Sequence, residues 1–162
     1  MRKLFCVLAL AALVACANPF NAANVRPGET REEVLAKLGR PTRVVPLPQG
    51  ERLQYSGQPF GQYAWMVDLD PSGRVTGVRQ TLNAIDFARI VPGQWTLLDV
   101  QREFGPPALV EGVSSWNGPI LTYRWLDADR AEMFYYVYLD SANVVRRAHP
   151  AMEFRSSPND HS

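Results

Sequence analysis

Hydrophobic and polar residues follow a helical period and then a strand period, and this order occurs twice along the chain. The first occurrence has one helical and three strand patterns, at residues 25–41, 52–56, 63–69 and 74–82. The second repeats that order at residues 90–107, 120–125, 133–139 and 144–148. The offset between the helical patterns is a constant 66 residues from Thr30 and Thr96 onwards. The chain is therefore predicted to contain two tandem copies of one unit.

Both helical patterns carry start and stop signals. Thr30 with Glu33 forms the sequence signature of a capping box, and Thr96 with Asp99 is a shorter version of it. In each copy a glycine and then a proline end the pattern, at Gly39 and Pro41 and at Gly105 and Pro107. Each unit is therefore predicted to begin with a short helix.

The remaining patterns predict turns and the packing of the units. Residues 70–73 and 140–143 have the composition of hairpin turns, with Gly73 and Asn143 at positions that tolerate positive φ. Residues 83–90 predict a further short helix. The expected fold is α+β: two small tandem units, each a short helix or helix pair packed on a three- or four-stranded antiparallel sheet. Neither unit has much core alone, so the two are expected to pack together.

The first sixteen residues predict export. A basic start is followed by an uncharged apolar run at residues 4–14, which is too short to span a bilayer as a helix and is typical of a signal peptide. The segment Leu-Val-Ala-Cys at residues 13–16 resembles the lipobox of bacterial lipoproteins. That resemblance implies removal of residues 1–15 and lipidation of Cys16, with a palmitate-type acyl anchor. Because Cys6 is lost with the signal, Cys16 would be the only remaining thiol, which excludes an internal disulfide.

The segment after Cys16 adds a location. Residues 16–24 are small and polar and predict a lipidated N-terminus and tether. Ala17 stands where an aspartate would retain a lipoprotein at the inner membrane, so the resemblance implies the outer membrane, facing the periplasm. Two acyl chains would make this attachment stable. The mature chain would have a net charge of −1, and no basic patch points to nucleic acid.

The first unit carries a family motif. Residues 27–41 read Pro-Gly-x-Thr-x-x-x-Val-x-x-x-Leu-Gly-x-Pro, and three strand patterns follow. This order resembles the SmpA/OmlA (BamE-like) family of outer-membrane lipoproteins, well over residues 25–82 and less over 83–149. The tandem arrangement is similar to the β-lactamase inhibitor protein fold. The barrel-assembly member of the family has one unit and this chain has two. The resemblance implies a scaffold or binding role at the outer membrane, without catalysis.

Motifs for catalysis or metal binding are not found in the sequence. His149 and His161 lie at or beyond the last strand, and residues 68–73 resemble only the start of a calcium loop. Ser114 lacks the glycines and the base of a nucleophile elbow. The chain is expected to be no enzyme and to bind no cofactor, metal or small-molecule substrate.

The strand at residues 133–139 is apolar on both faces. One face continues the pattern of the first unit and is expected to lie under a helix, whereas the other presents Phe134, Tyr136 and Tyr138. These rings either pack against the first unit or the 114–116 loop, or they bind a partner together with Arg146. Arg124 and Arg147 are further candidates to border the rings.

Three functions remain open on this basis. The main hypothesis is a non-catalytic lipoprotein that supports outer-membrane protein assembly or envelope integrity by binding a protein. The candidate partner is the β-barrel assembly machinery. The alternatives are an inhibitor-type binding protein of a periplasmic or secreted enzyme and a structural envelope lipoprotein. The expected domains are the signal (1–15), the tether (16–24), two units (25–82 and 83–155) and a disordered tail (156–162).

Overall fold

A computed structural model of the 162-residue chain describes residues 19–153 and contains two antiparallel sheets with a helix layer on each. The first unit consists of a 3-10 helix (Pro19–Asn24), α1 (Arg31–Leu38), β1 (Arg43–Pro46), β2 (Glu51–Ser56), β3 (Ala64–Leu69) and β4 (Val75–Gln80). The second consists of α2 (Ala84–Phe87), α3 (Leu97–Phe104), β5 (Leu109–Glu111), β6 (Ile120–Leu126), β7 (Glu132–Leu139) and β8 (Val145–Met152).

The two units have the same topology. Sheet 1 has the order β1-β2-β3-β4 and sheet 2 the order β5-β6-β7-β8, all antiparallel. The predicted α+β fold of two tandem units is confirmed. Each sheet has a first strand that no hydrophobic pattern marked, because β1 and β5 are short and mostly exposed. The hairpin turns also form as predicted, with φ of 78° at Gly73 and 61° at Asn143.

Each helix starts on the hairpin of its own sheet. Thr30 and Thr96 accept from the backbone amides of Glu33 and Asp99, and both carboxylates accept from the threonine amide in return. Asp99 therefore completes a capping box despite its shorter side chain. Both caps also form an isolated bridge to the last hairpin of their sheet, which fixes the helix against the strands.

The first helix covers only the inner face of sheet 1. That core combines side chains of α1, the strands and the N-terminal segment: Ala22, Val25, Val34, Leu38, Leu53, Tyr55, Val67, Leu69 and Val75. The exposed side of α1 is polar, as its Glu32 and Lys37 are outside the core. This arrangement leaves the other face of sheet 1 for a second layer.

The second helix layer lies between the two sheets. Its core joins α2 and α3 to the outer face of sheet 1 and the inner face of sheet 2: Ala64, Met66, Leu82, Phe87, Ile90, Val100, Phe104, Leu121, Tyr123, Trp125, Val137, Leu139 and Val145. A methyl group built on Gly105 would lie 3.6 Å from Met66 Cε, so the end of α3 rests directly on sheet 1. The order of layers is α1, sheet 1, α2 with α3, sheet 2.

Buried polar groups connect the layers where α3 meets sheet 1. Arg52, only 5 % exposed, bonds Asp68 on its own sheet, and its Nη1 donates to the carbonyl of Arg102 at 3.0 Å. The same guanidinium forms an ion pair with Glu103 at 3.2 Å. Gln54 Nε2 donates to the carbonyls of Gln101 and Arg102. These carbonyls belong to the last turn of α3, where the backbone supplies only the Gly105 N–H, to Gln101.

The N-terminal segment is partly folded. The predicted tether covered residues 16–24, but Pro19–Asn24 is a 3-10 helix, and Ala22 and Val25 are buried against the first unit. The predicted signal, Cys16 and the predicted tail at 156–162 lie outside the described residues. Within residues 19–153 there is no helix of the length and apolarity needed to cross a membrane.

Candidate functional site

The outward face of sheet 2 is the candidate site, and we call it the open face. Strand alternation and the register of β5 to β8 place there, among others, the side chains of Leu109, Glu111, Thr122, Arg124, Phe134, Tyr136, Tyr138, Arg147 and His149. Among the described residues, no helix or strand lies over this face, whereas α3 covers its counterpart on sheet 1.

The equivalent positions of the two sheets differ in chemistry. On β3 the outward positions are Ala64, Met66 and Asp68, of which the first two belong to the core under α3. The register of the hairpins matches these with Phe134, Tyr136 and Tyr138 on β7, which are partly buried. Small and polar residues in sheet 1 leave room for a helix. Three large rings fill that space in sheet 2.

The rings of the open face touch one another. The Phe134 and Tyr136 centroids are 5.8 Å apart, and those of Tyr136 and Tyr138 are 6.5 Å apart. His149 on β8 stacks on Tyr138 at 5.5 Å and lies 5.6 Å from Tyr136. These spacings are typical of aromatic pairs. The rings form a continuous surface along β7 and β8.

The 114–116 loop packs on one end of this surface. Trp116 contacts the Tyr138 ring edge-on at 5.2 Å, and its indole N–H donates to the carbonyl of Leu139 at 2.7 Å. The expectation that the rings would pack on this loop therefore holds for Tyr138. No ring contact of Trp116 with Phe134 or Tyr136 is present. The loop covers one end of the open face and leaves the other uncovered.

Arg147, one of the candidate arginines of the sequence, lies beside the rings. Its guanidinium carbon lies 4.2 Å from the Tyr138 centroid, and its Nη2 donates to His149 Nε2 at 3.0 Å. Arg146 instead forms an ion pair with Asp140 in the hairpin turn at 2.7 Å. The register shifts between Tyr138 and Leu139, and this bulge displaces the alternation by one residue.

A cleft of about 420 Å³ opens beside the uncovered rings. Phe134 and Tyr136 line one side and Leu109 of β5 the other, with Thr122 between them. Thr122 is 4 % exposed, and its Oγ1 has no hydrogen-bond partner among the described residues. Native structures leave few buried polar atoms unbonded.

The first unit forms one end of the cleft. The amide of Gln58 donates to the carbonyl of Arg124 at 2.7 Å and accepts from its N–H at 3.0 Å. It thus pairs with β6 where β5 has ended. Arg124 Nη1 donates to the carbonyls of Pro59 and Phe60, and the guanidinium pairs with Glu153 at 2.7 Å. The contacts with Gln58, Pro59 and Phe60 join residues 64 to 66 apart in sequence, so no local pattern predicts them.

The cleft has an acidic edge. Burial raises the pKa of Tyr136, and the nearby Glu111 and Glu153 carboxylates and the Tyr138 phenol raise it further. Glu153 is neutralised by Arg124, whereas Glu111 is exposed and forms no ion pair with another described residue. The charge that remains at the cleft is therefore negative.

The described residues contain no cluster of side chains that could bind a metal ion. Between Pro19 and Glu153, no three His, Cys, Asp or Glu side chains come together as a metal site. His149 Nε2 lies 3.0 Å from Arg147 Nη2 and belongs to no such cluster. His161 lies outside the described residues.

Comparisons with known proteins are sparse. No protein-family model and no curated protein matches the sequence. Among solved structures, the chain is similar to a DUF4309 family protein (YjgB) from Bacillus subtilis subsp. subtilis str. 168. The similarity has 16% sequence identity and a TM-score of 0.33, and it covers 77% of this chain and 79% of that chain.

Proposed function

We propose that the chain is a non-catalytic lipoprotein, anchored through Cys16 to the periplasmic side of the outer membrane, that binds a protein partner with its open face. Its role is to support outer-membrane protein assembly or envelope integrity. The lipobox-like residues 13–16 and the family-like motif at residues 27–41 support the anchor and the setting.

One observation carries the binding role. The repeat places equivalent faces on both sheets, and the face of sheet 1 is covered by α3 while that of sheet 2 is uncovered. The uncovered face carries Phe134, Tyr136 and Tyr138, and tyrosine is enriched where proteins bind one another. Soluble domains seldom leave such an apolar face without a partner.

The test is crosslinking of intact envelopes, followed by affinity purification of the chain and mass spectrometry of what it retains. Wild-type protein is compared with Tyr136→Ala and Leu109→Asp on the open face. Ile85→Ala is the matched control, because Ile85 is an 83 % exposed apolar residue on α2. We expect both open-face variants to lose a partner that the control retains, with circular dichroism showing all variants folded.

The outcomes separate the proposals. Loss of barrel-assembly subunits from the open-face variants supports the assembly role, and loss of one soluble enzyme indicates an inhibitor instead. Equal recovery by all variants, or recovery of nothing, contradicts binding through this face. If Tyr136→Ala unfolds, Leu109→Asp still decides, because Leu109 is 51 % exposed on an edge strand.

The anchor is tested separately. Cys16→Ala removes the thiol that would carry the lipid. We expect this variant in the soluble periplasmic fraction, because no acyl chain would hold it to the bilayer. Stable membrane attachment of Cys16→Ala, with wild-type attachment as the reference, contradicts the assignment.

A further inference from the structure

The cleft on the open face has the walls of a side-chain pocket. Phe134 and Tyr136 present aromatic surface on one side, and Leu109 presents an aliphatic side chain on the other. The methylene stem of a long side chain fits between such walls. The volume of about 420 Å³ accepts one large side chain and not an element of secondary structure.

A buried hydroxyl marks the base of this pocket. Thr122 Oγ1 is without a hydrogen-bond partner among the described residues, although the residue is 4 % exposed. Its counterpart on sheet 1 is Gln54, whose amide donates to the carbonyls of Gln101 and Arg102 in α3. In the first unit, the polar residue at this position therefore forms hydrogen bonds to α3, the helix that covers the sheet. In the second unit no described helix supplies such a contact, and Thr122 Oγ1 is enclosed without a partner, as is Gln54 Oε1 in the first unit.

The charge of the pocket selects the partner group. Arg124 offers no free charge, since Glu153 and the carbonyls of Pro59 and Phe60 engage its guanidinium. Glu111 lines the same cleft with a carboxylate that has no ion pair in the part of the chain that the structure describes. An unpaired carboxylate beside two aromatic rings attracts a cation, because ring faces and carboxylate are both negative.

We propose that this cleft binds the side chain of one arginine of the protein partner, an inference that rests on the function proposed above. The arginine stem lies between Leu109 and the rings, and its guanidinium stacks on Tyr136. The guanidinium donates to the Glu111 carboxylate. Arginine fits better than lysine because its planar, weakly hydrated group both stacks and donates in several directions.

The inference is tested with two tripeptides added to the full chain in detergent micelles. N-acetyl-Gly-Arg-Gly-amide is compared with the same peptide carrying citrulline, which has nearly the same shape and no charge. Amide and tyrosine-ring chemical shifts are followed by NMR during each titration. We expect the arginine peptide to shift the resonances of Thr122, Tyr136 and Glu111 and to bind about tenfold more tightly than the citrulline peptide.

One variant and one control sharpen the test. Glu111→Gln is expected to bring the two peptides to nearly equal affinity. Glu32→Gln is the control, because it removes an exposed carboxylate on α1 and is expected to change nothing. Equal binding of both peptides to wild-type protein, shifts outside the cleft or no shifts at all overturn the inference.

This test fails independently of the proposed function. If the partner recovered from envelopes is lost with Tyr136→Ala but retained by Glu111→Gln, the open face binds a partner without an arginine in this cleft. If Tyr136→Ala and Leu109→Asp retain every partner, the proposed function itself is wrong.

Discussion

The outward faces of the two sheets occupy equivalent places in the repeat, yet one is interior and the other is surface. On sheet 1, Arg52 and Gln54 bond the last turn of α3, and Met66 joins the core beneath it. On sheet 2, aromatic rings and an unbonded Thr122 hydroxyl stand at the equivalent places. Duplication of a unit thus supplies a cover for the first copy and leaves the second copy's face without a helix over it among the described residues.

The largest loss of stability is expected for a substitution on the outward face of sheet 1, which α3 covers. Arg52→Ala leaves the carboxylates of Asp68 and Glu103 without their shared buried cation. Glu103 keeps Arg79, Arg89 and Arg102 as partners. The loss therefore falls on Asp68 and on the Arg102 carbonyl, and it is expected at about 1–3 kcal/mol. Urea unfolding measures this loss. The comparison variant is Arg147→Ala on the open face, which is exposed and should cost under about 1 kcal/mol. Similar losses for both variants would mean that the two faces are not different in burial.

A smaller effect separates the equivalent positions Gln54 and Thr122. Gln54→Leu removes one donor from the carbonyls of Gln101 and Arg102, which keep Gly105 N–H and Arg52 as partners, and should lower the free energy of unfolding by about 0.5–1.5 kcal/mol. Thr122→Val removes a hydroxyl that bonds nothing among the described residues, so stability should stay within about 0.5 kcal/mol or rise. Chemical denaturation of the two variants checks this; a larger loss for Thr122→Val would show that its hydroxyl is already satisfied.

The inner faces of the two sheets, by contrast, are alike, because each carries a buried tyrosine. The dependence of stability on alkaline pH measures this likeness. Tyr55 and Tyr123 donate to the carbonyls of Gly39 and Gly105, at the end of the helix each sheet carries. Burial raises the pKa of Tyr55 to about 12 and raises that of Tyr123 as well. An unfolded tyrosine loses its proton near pH 10. Stability is therefore full below pH 10 and is lost as the pH rises through the folded pKa.

The expected slope is about 1.4 kcal/mol per pH unit for each such tyrosine between its unfolded and folded pKa. Denaturation at pH 9, 10 and 11 measures it. Tyr55→Phe should lower stability at pH 9 by about 1 kcal/mol and reduce the slope above pH 10. An unchanged slope in Tyr55→Phe would show that this phenol is not the buried group that titrates.

The sequence predicts what recurs locally. The caps at Thr30 and Thr96 and the turns at Gly73 and Asn143 follow from residue types that act within four positions, and all are confirmed. The alternation of β7 likewise predicts which of its residues lie under a helix. Such features need no knowledge of the second unit.

The remaining features depend on contacts distant in sequence. The sequence patterns miss β1 and β5, because these exposed strands of four and three residues carry no hydrophobic alternation. They are held in place by pairing to β2 and β6. The bulge between Tyr138 and Leu139 is invisible to simple alternation, so the sequence does not show which of Arg146 and Arg147 lies beside Tyr138. The cleft needs Gln58, 66 residues away from the strand it pairs with, and so appears only in the folded chain.

Hydroxyl-radical footprinting tests most directly whether the open face is covered by a partner. Oxidation of Phe134 and Tyr136 is compared between intact envelopes and the purified chain, with Met152, 58 % exposed on β8, as the internal reference. We predict several-fold slower oxidation of the two rings in envelopes and an unchanged rate for Met152. Equal ring oxidation in both preparations would contradict the account, because the open face would then be uncovered where the protein acts.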